Sequence, residues 1–368
     1  MIGQRGVPAT FGGVERHVEE LGARLAARGH RVEVYARTNY TASRDHSHRG
    51  MRVRYLPTVG AKHLDAIVHS SLATVDAVAR GADVVHYHAV GPGVPAVVPR
   101  YLSRSKVVLT VHGLDAERAK WGPVATGGLR AATWMSAHVP DATIVVSRDL
   151  VDAYRDRYGR PVTHIPNGVD ERPRRSPDRI NRRFGLAGGD YVLFVGRLVP
   201  EKAPDLLIRA FAQIEGDVRL VVVGGSSFTD DYVRTVRSLA ARDRRVELPG
   251  YVYGDALDEL YANAAAFVLP SSLEGLPLTL LEAASYGTPV VVSDIAPHVE
   301  VVEADGAGHR IVRTGDVDAL AAALAATLGS PSEAADGAYA LRERVLARYR
   351  WNDVADATEE IYRAVLSH

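Results

Sequence analysis

The 368-residue sequence contains no cysteine, which excludes disulfides, thiolate metal sites and a cysteine nucleophile. It also lacks a net charge, because 44 basic side chains balance 44 acidic ones. A nucleic-acid partner favours overall positive charge, so we expect none. No uninterrupted apolar run reaches the roughly 18 residues of a membrane span, and the first five residues have no apolar signal-peptide core. We therefore expect a cytoplasmic protein.

What the sequence does contain is a repeated alternation of short apolar runs and amphipathic stretches. This alternation is typical of βαβ units, in which parallel strands are covered by helices on both faces of the sheet. At roughly 100–200 residues per domain, the length suggests about two domains. We predict an α/β fold with two Rossmann-like, doubly wound parallel-sheet domains.

The predicted first domain covers residues 1–168 and the second covers residues 169–349. Between them, residues 166–177 combine turn formers and charges without periodicity, so we interpret them as a linker, with Arg172 to Arg175 solvated. The amphipathic stretch at 350–368 comes after the second domain is complete, which suggests that it packs elsewhere.

The N-terminus departs from this pattern. A strand should lead into the loop of residues 3–13, but only Met1 and Ile2 precede it. Two residues cannot span a central strand, so we expect that the first strand is truncated or that the sheet tolerates a stub.

The strongest constellation is the run at residues 271–282, placed between a predicted strand and a predicted helix. Gly275 and Pro277 disfavour a helix before Pro277, so Glu274 is expected in the loop and Glu282 in the second helical turn. The two carboxylates can then face one crevice, beside the free amides of the first turn that attract phosphate. A capped surface helix with two solvated glutamates remains the alternative.

A second constellation follows the first strand of the second domain, at the carboxyl edge where open α/β sheets bind ligands. Its cations, Arg197 and Lys202, can clamp a diphosphate, the first through a planar fork and the second as a point charge. An ordinary charged loop, with Glu201 as the partner, is the alternative.

These two constellations, together with Asn167-Gly168-Val169-Asp170 at the linker, resemble the retaining GT-B glycosyltransferases of glycosyltransferase family 4. Residues 3–15, 112–115 and 118–122 are similar to a bacterial branch of rhamnosyl- or hexosyltransferases that assemble surface polysaccharides. The resemblance covers nearly the entire chain. It implies two domains facing across a cleft, with the C-terminal helix returning to the first domain.

The resemblance also implies a role for each matching residue. Arg197 and Lys202 would hold the donor diphosphate, Glu282 the ribose, and Glu274 the hydroxyls of the transferred sugar. His112 would contact the donor sugar at the cleft. Backbone amides near Leu278 and Thr279 would complete the phosphate cradle, and Gly12 and Gly13 would let the backbone approach the donor closely. The loop of residues 250–252, which ends in Val252, would lie against the base.

Two further histidines, His86 and His88, sit two residues apart and share one strand face, but the sequence offers no evident third metal ligand. We expect no metal and no cofactor, because cationic side chains and a helix N-terminus can meet the charge of the leaving group. The only co-substrate expected is the nucleotide diphosphate sugar.

The predicted reaction transfers a sugar from that donor to a hydroxyl of a glycan or lipid-linked acceptor, with retention of configuration. Arg100, Arg104 and Lys106 could touch a membrane surface near such an acceptor, or could form a solvated basic loop. Two other functions stay open. One is a sugar-nucleotide-binding protein without catalysis; the other is a nicotinamide-dependent oxidoreductase, although its G-x-G-x-x-G signature is absent.

Overall fold

The computed structural model describes residues 1–10, 12–40, 45–59, 65–113, 123–226 and 229–367. The chain divides into two compact units, one formed by residues 1–168 and 351–368 and the other by residues 169–350. Among the described residues, no helix is both long enough and apolar enough to span a bilayer.

Strands and helices alternate along both units. The strands are β1 (Glu33–Arg37), β2 (Ser47–His48), β3 (Met51–Leu56), β4 (Val84–His88), β5 (Lys106–Val111), β6 (Ala142–Val145), β7 (Thr163–His164), β8 (Tyr191–Val195), β9 (Arg219–Val223), β10 (Val246–Gly250), β11 (Ala266–Leu269), β12 (Val290–Ser293) and β13 (His309–Val312). The helices are α1 (Gly13–Ala27), α2 (Asp65–Ala79), α3 (Val97–Leu102), α4 (Pro123–His138), α5 (Arg148–Tyr158), α6 (Asp178–Phe184), α7 (Pro204–Phe211), α8 (Asp230–Ala240), α9 (Asp255–Asn263), α10 (Leu278–Ser285), α11 (Ala296–Val302), α12 (Val317–Gly329), α13 (Pro331–Arg348) and α14 (Trp351–Leu366).

The sheets are parallel except where β2 runs antiparallel to β3. In the first unit the strand orders are β1-β3-β2 and β4-β5-β6-β7, and in the second unit the order is β10-β9-β8-β11-β12-β13. The prediction of an α/β fold with parallel sheets in two domains is confirmed.

Residues 1–5 join the two sheets of the first unit through backbone hydrogen bonds. On one side, the Ile2 carbonyl accepts from the His88 amide at 2.8 Å. On the other side, the Met1 carbonyl accepts from the Tyr35 amide at 3.1 Å. This short segment therefore lies between β4 and β1 and makes ladder contacts on both sides, with the Ile2 side chain fully buried.

Helix α14 packs against α1 in the first unit. Its Ala355 belongs to the same buried apolar cluster as Val18 and Leu21 of α1. Around this contact, Arg28 pairs with Asp356 at 2.8 Å. A chain crossing also brings Gly168 against the backbone of Trp351, where a Cβ on residue 168 would come within 2.7 Å of the Trp351 Cα. Only glycine fits there.

The linker arginines contradict the interpretation that this run is merely solvated. Arg172 is partly buried and forms an ion pair with Asp258 of α9 at 2.8 Å. Arg175 pairs with Asp255 of the same helix at 3.1 Å. Because α9 begins with these aspartates, the run is held on the second unit by charge, which a scan for periodicity does not reveal.

We expect Ile2→Ala to lower the free energy of unfolding of the first unit by about 2–5 kcal/mol, because it leaves a cavity where residues 1–5 cross between β1 and β4. Urea titration followed by circular dichroism measures the change. Val75→Ala on α2 serves as the control, since Val75 is 63% exposed. If both substitutions lower the free energy of unfolding by the same small amount, residues 1–5 do not stabilise the sheets of the first unit.

Candidate active site

In the second unit, the two predicted constellations meet at adjacent strands. The loop after β8 contains Arg197 and Lys202, and the loop after β11 contains Glu274. These strands are neighbours at the centre of the sheet, where the strand order reverses direction. In open α/β sheets this switch point leaves a crevice outside the carboxyl ends of the strands.

A carboxylate network occupies the loop after β11. Glu274 accepts from Lys202 Nζ and, at 2.7 Å, from Ser271 Oγ, and the Glu274 side chain is only 8% exposed. Burial raises the pKa of this carboxyl, but the Lys202 charge, His298 and the two hydrogen bonds outweigh it, so the net pKa lies below the ordinary value. Glu274 is therefore ionised at neutral pH. Lys202 pairs with Glu274 across the two loops, whereas the sequence offers the adjacent Glu201 as its partner.

A second layer of polar residues supports this network, and the sequence analysis misses it. Ser293 Oγ donates to the Ser271 carbonyl, and His298 Nδ1 lies 3.0 Å from Ser293 Oγ. Burial lowers the pKa of His298 to about 4, so its ring is neutral. Ser293 is the last residue of β12, the neighbour of β11, and His298 lies in the helix that follows. Their place at the carboxyl end of a strand is the sequence signal that could have identified them.

The loop after β8 is held closely to its neighbours. The Leu198 amide donates to the Gly225 carbonyl at 3.0 Å, and the Ser272 amide donates to the Glu201 carbonyl at 2.9 Å. Gly224 has a φ of +145°, and a Cβ there would lie 1.8 Å from the Gly196 carbonyl oxygen. Glycine at 224 thus lets the β8 and β9 loops touch, which fixes the backbone on either side of Arg197.

Helix α10 begins at Leu278, directly after Pro277, as the sequence predicts. Helix geometry leaves the first amides, those of Leu278 and Thr279, without an intrahelical acceptor. Thr279 Oγ1 is buried and has no hydrogen-bond partner among the residues that the structure describes. The start of α10 is therefore suited to bind an anion.

Glu282 lies one turn further along α10 and accepts from Tyr261 Oη at 3.2 Å. Tyr261 is fully buried, and burial together with the Glu282 charge raises its pKa well above the ordinary value, so it stays a donor. The alternative of a freely solvated Glu282 is thereby excluded, since a buried phenol orients the carboxylate.

The loop after β10 contains a buried valine between two tyrosines. Val252 is only 3% exposed, so its side chain belongs to the core of the second unit and only its backbone can face a nucleotide base. Tyr251 and Tyr253 stack on each other with ring centres 6.0 Å apart. Tyr253 is partly exposed at 47%, which the sequence analysis did not single out.

The remaining predicted residues lie in the first unit. Helix α1 begins at Gly13 with Gly12 in extended conformation before it, and no side chain caps this end. His112 follows β5, and its Nε2 lies 3.3 Å from Nδ1 of His88. Burial, then His17 and His86, lower the pKa of His112 well below the ordinary value, so its ring is neutral at pH 7. Residues 114–122, which carried part of the resemblance, lie outside the described residues, as does Phe11.

The chain has one Asp-x-Asp sequence, Asp316-Val317-Asp318, and its carboxylates have structural partners. Asp316 caps α12 by accepting from the Ala319 amide at 2.9 Å. Asp318 accepts from Gln213 Nε2 at 2.9 Å. Neither side chain is therefore assigned to the candidate site.

The buried pair gives a testable consequence for stability. We expect Lys202→Met to lower the free energy of unfolding by about 3–5 kcal/mol, because it leaves Glu274 buried without its cation. The double variant Lys202→Met/Glu274→Gln should recover most of this loss, since no buried charge remains. Urea unfolding at neutral pH measures both.

The pH dependence supplies the control. Since the pKa of Glu274 is lower in the folded protein than the ordinary 4.5, the pair stabilises the fold fully above that value and loses its effect as the pH falls through the folded pKa. The wild type should therefore lose more stability on acidification than Glu274→Gln. Identical acid sensitivity in the two proteins would contradict an ionised, paired Glu274.

Two models of known protein families match the chain, one on each side of residues 173–177. Residues 11–172 match the family model Glycosyltransferase Family 4, and residues 178–344 match the model Glycosyl transferases group 1. Among curated relatives, alpha-maltose-1-phosphate synthase of Mycobacterium tuberculosis is 29% identical, covering 97% of each chain.

Solved structures show the fold. Sucrose-phosphate synthase from Thermosynechococcus elongatus superposes with a TM-score of 0.85 at 24% identity, covering 100% of this chain and 98% of the other. Anabaena HepE, crystallised with UDP and glucose, gives a TM-score of 0.81 at 19% identity over 98% of each chain. The fold is GT-B, and the chain consists of two glycosyltransferase domains, a Family 4 domain followed by a group 1 domain.

Proposed function

We propose that the protein transfers a sugar from a nucleotide diphosphate sugar to a hydroxyl group of a glycan or lipid-linked acceptor, with retention of anomeric configuration. One observation carries this proposal: Lys202 and Glu274 meet at the switch point of the second unit, in the loops after β8 and β11. A cation, an ionised carboxylate and a helix start together can recognise a diphosphate and the hydroxyls of a sugar.

The roles follow from the chemistry of each group. Arg197, Lys202 and the amides of Leu278 and Thr279 would stabilise the negative charge that develops on the leaving diphosphate. Glu282, oriented by Tyr261, would accept from the ribose hydroxyls, and Glu274 from hydroxyls of the transferred sugar. His112 has a neutral ring and would orient the donor sugar by hydrogen bonding, without supplying a charged acid.

The relatives support the donor class without specifying it further. HepE was crystallised with UDP and glucose, and the mycobacterial relative is named as a synthase of a sugar phosphate. A role in surface-polysaccharide assembly, as in the rhamnosyl- and hexosyltransferase branch, and a cytoplasmic location belong to this proposal. So does a peripheral membrane contact through Tyr101 and Leu102, which are 66% and 78% exposed beside Arg100.

We expect Arg197→Ala and Glu282→Gln each to weaken nucleotide binding by about 10- to 100-fold, the worth of one hydrogen bond to a charged group. Calorimetry with UDP, GDP, ADP, TDP and NAD first identifies the preferred nucleotide. Arg209→Ala on α7 and Glu343→Gln on α13 are the matched controls, because both side chains are more than half exposed. Unchanged affinity in both site variants would refute the donor site, and binding of NAD alone would favour an oxidoreductase.

Transfer should persist in EDTA, because cationic side chains and the start of α10 can take the part of a divalent metal at the leaving group. NMR of the product, formed with and without EDTA, measures both the yield and the anomeric configuration. Loss of activity that Mg²⁺ or Mn²⁺ restores would refute metal independence, and an inverted anomer would refute retention. Nucleotide binding without any product would indicate a binding protein.

A further inference from the structure

Three histidines of the first unit lie together outside the network described above. His17 comes from α1, His88 from the end of β4, and His112 from just after β5. Each histidine contributes one ring nitrogen, and these three nitrogens all lie within 4.8 Å of one another. The sequence analysis found no third ligand beside His86 and His88, because the partners of His88 are distant along the chain.

The closest pair already has the spacing of two metal ligands. His88 Nδ1 and His112 Nε2 are 3.3 Å apart. Two nitrogens bound to one tetrahedral Zn²⁺, at metal–nitrogen distances of about 2.0–2.1 Å, are separated by about 3.3 Å. The contributing nitrogen of His17 lies within 4.8 Å of those of His88 and His112.

The hydrogen bonds orient His17 as in a metal site. His17 Nδ1 lies 2.8 Å from Asn167 Oδ1, and an amide oxygen only accepts, so the proton is on Nδ1 and the lone pair on Nε2. Metal-binding histidines generally donate their other nitrogen in this way. Asn167, which the sequence analysis noted only as part of the linker motif, therefore acts as the outer partner of His17.

His86 shows how a purely structural histidine differs. Its Nδ1 lies 2.6 Å from Tyr362 Oη and its Nε2 lies 2.7 Å from Thr110 Oγ1, so both nitrogens are used. The neighbouring His88 is also fully buried, but its Nε2 has no hydrogen-bond partner within the described part of the chain. The other nitrogen, Nδ1, faces His112 Nε2, so it already lies against a second member of the cluster.

We propose that His17, His88 and His112 bind a divalent transition-metal ion of the zinc class. Imidazole nitrogens prefer Zn²⁺, Co²⁺, Ni²⁺ and Cu²⁺, whereas Mg²⁺ and Ca²⁺ require oxygen ligands. Three protein ligands leave the fourth tetrahedral position for water or another small ligand. The ion would tie α1, β4 and the segment after β5 together. This proposal does not depend on the proposed transferase activity, because metal binding can be measured without substrate.

The test is calorimetric titration of the EDTA-treated, dialysed full chain with ZnCl₂. We expect one equivalent to bind and to raise the melting temperature by several degrees, as a ligand specific for the folded state does. CoCl₂ should give the visible absorption of four-coordinate cobalt. Absence of saturable binding by the folded protein would overturn the proposal.

Variants distinguish this site from weak binding to surface histidines. His17→Gln and His112→Gln should each weaken Zn²⁺ binding by more than about 100-fold, and Asn167→Ala by about 10- to 100-fold, the range for outer partners. His69→Gln is the matched control, because His69 is also fully buried in the first unit and is not one of the three ligands.

Far-UV circular dichroism and melting in EDTA establish that each variant folds. If the folded Asn167→Ala and His17→Gln proteins bind Zn²⁺ as the wild type does, or if His69→Gln weakens binding equally, the three-histidine site is wrong. Because donor binding is measured with nucleotides and the metal site with ZnCl₂ alone, failure of the metal site leaves the proposed function untouched, and the reverse also holds.

Discussion

The candidate active site depends on one constraint, which is that parallel strands place all their carboxyl ends at the same edge of a sheet. In the second unit, the order β10-β9-β8-β11-β12-β13 turns at the β8 and β11 pair, so the loops after these two strands leave in opposite directions. Lys202 and Glu274 are 72 positions apart in the sequence, and yet they form an ion pair there. The topology alone brings the opposite charges together.

Breaking the Lys202–Glu274 ion pair to admit a ligand would cost little free energy if the ligand supplied new partners for both groups. Burying Lys202 and Glu274 removes both from water, and the attraction between them offsets little more than that penalty. Under the proposed function, a donor diphosphate would replace Glu274 as a partner of Lys202, and the carboxylate would turn to the sugar hydroxyls. Ser271 Oγ would continue to donate to Glu274 during this exchange, and the hydrogen bond from Ser293 to the Ser271 carbonyl would hold Ser271 itself.

The sequence could predict the position of those residues whose contacts are with residues nearby in the chain. Glu274 and the start of α10 were found because glycine, proline and the strand before them fix the local backbone. Ser293 and His298 were missed because they reach Glu274 across strands. Helix α13 gives only a weak apolar signal in the sequence, although Ala334, Ala338, Leu341 and Val345 repeat at helical spacing, because two of these four residues are alanines. The sequence indicates a strand stub at Met1 and Ile2, but it does not show that this stub bonds to both β1 and β4, since backbone hydrogen bonds leave no mark on the side-chain pattern.

The histidines of the first unit show the same limit and lead to one further constraint. Strand alternation predicts that His86 and His88 share a face, but only the tertiary structure shows that His86 bonds to Tyr362 and Thr110 whereas His88 Nδ1 faces His112. His112 enters both proposals, as a neutral hydrogen-bonding group for a donor sugar and as a metal ligand. A neutral imidazole has a single free lone pair, and a lone pair that binds a metal cannot accept from a sugar hydroxyl. The two uses of this lone pair are therefore mutually exclusive, and a metal bound at His112 would oppose any donor contact made through the same nitrogen.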